Sequence, residues 1–118
     1  MAEAGLWIAW GVPNAGRERK ALELLVETQD YLSGLQEQGH IERFDRVVLK
    51  PQSIELGGFI FIQGTVEQID GLRRNESFGV WLSRVQLVAD HVGVVDAWVG
   101  DGIAEAVALY EKALESLE

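Results

Sequence analysis

The stretch Gly57 to Gly64 reads Gly-Gly-Phe-Ile-Phe-Ile-Gln-Gly, and it restricts the fold more than any other part of this 118-residue chain. Successive side chains of a strand point to opposite faces. Phe59 and Phe61 therefore lie on one side and Ile60 and Ile62 on the other, and neither side is polar. A strand of that kind belongs in the middle of a sheet with both faces covered. The question it sets is what covers the second face.

The rest of the chain supplies partners for it. Leu6 to Val12 is the first strand, with Leu6, Ile8, Trp10 and Val12 on one face and Trp7, Ala9 and Gly11 on the other. Pro13 to Gly16 ends it. From Arg17 to Gln38, Ala21, Leu25, Thr28, Leu32 and Leu35 recur at helical spacing, and Leu22 and Val26 widen that stripe. Gly39 is the natural C-terminal stop. Ile41 to Lys50 is a second strand, whose Arg43, Asp45 and Arg46 suit a sheet edge.

Beyond the glycine-bounded strand, Thr65-Val66-Glu67-Gln68 is a capping box. The helix it opens is interrupted near Asn75 and resumes at Ser77 or Phe78. Its second half buries Phe78, Leu82, Val85 and Ala89, with Trp81 and Val88 flanking. His91 to Gly100 is the fourth strand. After Asp101 and Gly102, a last helix carries Ile103, Ala106, Val107, Tyr110, Ala113, Leu114 and Leu117 in register.

This order, β-α-β-β-α-β plus a C-terminal helix, predicts one α+β domain spanning residues 1–118. The arrangement is ferredoxin-like, a four-stranded antiparallel sheet with both main helices on one face. The opposite face is left bare, although the first, third and fourth strands are apolar on both sides. Each large apolar side chain left exposed forgoes about 1.5–3 kcal/mol. A second copy packed sheet to sheet removes that loss, so a homodimer through the sheet face is expected.

Charge and composition narrow the partners. With 19 acidic and 10 basic residues the formal net charge is −9, which counts against the phosphate-neutralising chemistry of nucleic-acid binding and against attraction to anionic membranes. The absence of cysteine removes disulfides, thiolate ligands and a cysteine nucleophile. Met1 to Val12 holds Glu3, no basic residue and too short an apolar run for a signal peptide or a span, so a cytoplasmic protein is expected. Gly11 and Gly16 have phosphate-loop spacing, but Arg17 and Glu18 follow where Lys and then Ser or Thr are needed. An RNA-recognition motif also carries third-strand aromatics, yet Leu56 stands where its basic residue would be. His40 and His91, without further spaced ligands, make no metal site.

From about Leu6 to Gly100 the chain resembles the dimeric α+β barrel superfamily, whose ferredoxin-like subunits pair through their sheets. Gly57-Gly58-Phe59 and Asn75-Glu76-Ser77-Phe78 are similar to the small bacterial YCII-related group, although the first helix lacks the histidine of that group's His–Asp pair. Ser77-Phe78-Gly79-Val80-Trp81-Leu82-Ser83, followed by Ala89-Asp90-His91-Val92, resembles the second helix of haem-degrading monooxygenases. That resemblance implies that Trp81 presses on a porphyrin and that His91, ten residues on, ligates its iron. The asparagine of those enzymes' first strand has no counterpart in Leu6 to Val12, and Asn14 lies past the strand end.

The expected function is therefore a dimer that binds a small, largely apolar molecule without a cofactor. A monooxygenase of the antibiotic-biosynthesis or haem-degrading type, haem being the cofactor of the latter, is one alternative; a non-catalytic structural dimer is another. The candidate catalytic residues are His91 and Trp81. Phe59, Phe61 and Gln63 share one face, and so do Asp96 and Trp98; if these faces coincide, the five line a ligand pocket, with Asp96 either its proton acceptor or a solvated carboxylate near a sheet edge.

Overall fold

The computed structural model describes residues 2–118. Its sheet has the order β2-β3-β1-β4, formed by β1 (Ala4–Trp10), β2 (Arg43–Val48), β3 (Gly58–Gly64) and β4 (Gly93–Trp98), every neighbouring pair antiparallel. Between them run α1 (Glu18–Glu37), α2 (Val66–Arg73) and α3 (Glu76–Val88), and α4 (Ile103–Ser116) follows β4. This is the ferredoxin-like arrangement, with the glycine-bounded strand β3 in a central position and the charged strand β2 at an edge.

Register decides which residues meet. Leu6 lies opposite Ile62 on one side and Asp96 on the other, and Phe44 lies opposite Ile62. Directly paired residues share a face. Leu6, Ile8, Ile60 and Ile62 thus form one apolar layer and are almost wholly inaccessible. Against it pack Leu24, Leu32 and Leu35 of α1, Ile69 and Leu72 of α2, and Phe78, Trp81 and Val85 of α3. Three helices on one face make the only large core among the described residues.

The helix ends follow from local chemistry. Gly39, at φ +79°, lets the chain leave α1, and the N–H groups of Gly39 and His40 donate to the carbonyls of Gln36 and Leu35. The Thr65 hydroxyl accepts from the Gln68 N–H at 3.1 Å while Gln68 Oε1 accepts from the Thr65 N–H at 2.8 Å, so the capping box is complete. Asn75 explains the interruption: its Oδ1 accepts from the Phe78 N–H at 3.1 Å and starts α3 afresh.

Several expectations are corrected. Leu24, outside the expected stripe, is buried in place of Leu25, and Leu22 and Val26, expected to widen the stripe, are 50% and 66% exposed. Regular pairing of β1 stops at Trp10, because Val12 is drawn instead to Ile54 and Asp90. Strand β4 starts at Gly93, because His91 adopts φ +56° and turns the chain between α3 and the sheet.

The second face stays open in the single chain. Trp7 and Phe59 meet there with ring centroids 5.8 Å apart and planes tilted by 38°. Phe61 lies across Gly5, where a Cβ would come within 2.7 Å of its ring. Trp7 and Val95 are exposed all the same. None of the side chains of α4 is buried, and its apolar stripe of Ile103, Val107, Leu114 and Leu117 faces solvent. The radius of gyration is 16.1 Å, against about 13.5 Å for a compact chain of this length, in keeping with a last helix that has not folded back onto the body.

Candidate functional site

Between the helices and the sheet, at the end where β1 stops and β3 begins, lies a cavity of about 640 Å³. Trp10 and Ile60 of the sheet, Leu24 and Thr28 of α1, and Trp81 and Val85 of α3 border it, and residues of the exposed 49–57 connection line its open side. The frame is held by backbone. Gly57 N–H donates to the Trp10 carbonyl at 2.8 Å and Val12 N–H to the Ile54 carbonyl at 3.0 Å, fastening the connection to the end of β1. A Cβ at Gly57 would collide with the Gly11 carbonyl oxygen, so the two chains approach this closely only because residue 57 is glycine.

The same segment secures the end of α3. Gly11 N–H donates to Asp90, Asp90 N–H to Val12, and Asn14 N–H to Val88, at 2.8–3.0 Å. Asn14 Nδ2 adds a bond to the Leu87 carbonyl at 3.1 Å, and the Arg17 guanidinium reaches the same oxygen at 3.5 Å. Asn14 is therefore a tie for the last turn of α3, outside the cavity lining.

The interior offers one polar cluster. Trp81, 4% exposed, donates its indole N–H to Thr28 Oγ1 at 2.9 Å, and that hydroxyl donates to the Leu24 carbonyl at 2.7 Å. The Trp81 ring is braced by Phe78, at 5.4 Å between centroids, and by Tyr31, stacked at 6.0 Å. Burying an indole N–H demands an acceptor, and Thr28 is that acceptor. A threonine within an apolar helical stripe was the sequence signal for such a pair; its partner, 53 residues away, was not.

The expected site residues are not gathered in one place. Trp81 is a wall of the cavity, whereas His91 is exposed at the turn beyond α3 and lies outside the lining. Phe59, Phe61 and Gln63 point to the open face. Asp96 and Trp98 belong to the helix side, because Leu6 pairs with both Asp96 and Ile62. The two faces do not coincide, so these five residues cannot line one pocket within a subunit. Asp96 is tied instead to Arg73 of α2, accepting from Nη2 at 2.9 Å and from Nε at 3.4 Å, largely in solvent.

A haem fits this cavity poorly. Among the described lining residues there is no histidine to ligate iron and no Lys or Arg to meet the propionates. Nor do the described residues hold any cluster of three or more His, Asp or Glu suited to a metal ion, and no helix is long and apolar enough to cross a membrane.

The sequence matches no protein-family model and no curated protein. Solved structures do resemble it. A dimeric protein of unknown function and ferredoxin-like fold from Bacteroides fragilis matches with a TM-score of 0.63 at 5% identity, over 81% of this chain and 95% of its own. A hypothetical Arabidopsis thaliana protein matches at 0.64 and 10% identity, over 86% and 91%. A dimeric ferredoxin-like protein of unknown function from a Jannaschia species matches at 0.64 and 13% identity, over 81% and 99%. At such identities the likeness is one of fold, and the fold of this chain is ferredoxin-like.

Proposed function

We propose that the protein is a cytoplasmic homodimer, paired through the open sheet face, in which each subunit binds a small, largely apolar molecule in the cavity between helices and sheet. The cavity carries this reading. Its volume of about 640 Å³ lies within the roughly 300–1,000 Å³ usual for ligand sites, and apolar walls with very few interior polar groups are usual there too. Trp81 is its aromatic wall. That placement is what supports chemistry of the monooxygenase type, although the lining contains no acid–base pair to which a step can be assigned.

The dimer rests on the apolar face of Trp7, Phe59, Phe61 and Val95, and two of the similar structures are dimers. Phe59, Phe61 and Gln63 then serve the interface rather than the cavity.

Two measurements test these parts separately. Titration with the neutral dye N-phenyl-1-naphthylamine should saturate at one molecule per subunit, and Ala21→Trp, which fills the α1 side of the cavity, should weaken it by at least an order of magnitude. No saturable binding to the native protein refutes the cavity reading. Light scattering should give twice the chain mass for the native protein and a single chain for Phe61→Asp; a single-chain mass for the native protein refutes the dimer.

A further inference from the structure

We propose that the cavity discriminates by charge. It takes an apolar molecule with a neutral or cationic head and turns away carboxylates, phosphates and their esters, with the head at Glu18 and the body running to the Thr28–Trp81 pair. This rests on the cavity being a ligand site and adds the class of ligand.

Glu18 is the only ionisable side chain among the described lining residues, and it stands at the exposed end of α1. No Lys or Arg is among the described lining residues. The Arg17 guanidinium lies on the Leu87 carbonyl, and that of Arg46 lies on the Leu25 carbonyl at 2.9 Å.

The donors of the Thr28–Trp81 pair and of several lining backbone groups are committed. The Trp81 N–H is given to Thr28 and the Thr28 hydroxyl proton to Leu24. The N–H groups of Gly11, Val12, Leu49, Leu56 and Gly57 are all spent on backbone carbonyls, and that of Glu55 on Ser53 Oγ. An acceptor remains beside that pair, the second lone pair of Thr28 Oγ1, while the polar side chains of Gln52 and Ser53 lie on the exposed connection at the rim.

An anion drawn to the inner end finds the donors of the Thr28–Trp81 pair already committed, and burying it uncompensated there is costly. The open first turn of α1 would attract an anion, but Glu18 already puts a carboxylate there. The net charge of −9 adds a field of the same sign. A cation or a hydroxyl at the mouth meets the Glu18 carboxylate instead. From Glu18 to Thr28 the helix rises about 15 Å, roughly the span of a decyl chain.

The test is displacement of N-phenyl-1-naphthylamine at pH 7 by three ligands of equal chain: decan-1-ol, decylammonium and decanoate. The alcohol and the ammonium should displace the dye, and decanoate should be weaker on the order of fivefold, because its carboxylate meets that of Glu18 at the mouth. Glu18→Gln should lower the ratio of decylammonium to decanol affinity about fivefold, as for an exposed ion pair. Decanoate within threefold of decanol overturns the charge selection, and an unchanged ratio in Glu18→Gln overturns the position of the head. If the native protein does not bind the dye at all, the cavity reading itself falls, and this inference falls with it.

Discussion

Replacing Thr28 by valine keeps the branched shape of the side chain and deletes one hydroxyl, so it probes the Trp81 contact without opening a void. The hydroxyl makes two bonds, from Trp81 Nε1 at 2.9 Å and to the Leu24 carbonyl at 2.7 Å. Leu24 keeps its helical partner, the Thr28 N–H, and loses little. Trp81 is left with a buried N–H facing a methyl group, at a cost of about 1–3 kcal/mol. Taking about 2 kcal/mol, and an unfolding entropy of roughly 2.1 cal/mol/K per residue, the melting temperature should fall by about 8 °C.

Thermal and urea unfolding followed by circular dichroism, at one fixed protein concentration, measures this. A double-mutant cycle isolates the bond. In a Trp81→Phe background there is no N–H to orphan, and Thr28→Val should then cost less than about 0.5 kcal/mol, leaving a coupling of roughly 1.5 kcal/mol. If the two changes simply add, the hydrogen bond to Thr28 is not what fixes Trp81 in the cavity wall.

Two glycines should respond in opposite senses. Gly57→Ala forces the 49–57 connection away from Gly11 and should cost about 2–4 kcal/mol in urea unfolding, as steric strain of this kind does. Gly34→Ala, in the body of α1 with open space where its Cβ would stand, should gain about 0.5–1 kcal/mol. Asp96→Asn breaks the pair with Arg73, whose side chains are 66% and 38% exposed. It should change stability by less than about 1 kcal/mol, an effect that shrinks further in high salt; a larger loss would mean that the pair orients α2.

The parts of the fold that could be read in the sequence are those fixed by neighbours a few residues apart. Alternation placed Ile60 and Ile62 opposite Phe59 and Phe61, the reach of one side chain placed Thr65 against Gln68, and an added apolar helix was visible after residue 102. What could not be read depends on distant segments. Asp96 shares a face with Ile62 only because β1 pairs with both strands at one particular register, and a shift by one residue would have put it beside Phe61. The ten-residue spacing of Trp81 and His91 said nothing of the left-handed turn that parts them. The cavity itself is assembled from α1, α3, the end of β1 and the 49–57 connection, and no single segment carries its outline.

The place of β1 in the sheet also bears on how the chain is made. Its partners are β3 and β4, so β1 cannot be flanked on both sides until Trp98 has been added. At about 5–20 residues per second, the 88 residues from Trp10 to Trp98 take roughly 4 to 18 seconds. Throughout that interval Leu6, Trp7, Ile8 and Trp10 lack a complete shelter, and the contacts that finally cover them are long-range ones, which form slowly. Until then the nascent chain carries a short apolar strand whose partners have yet to be made.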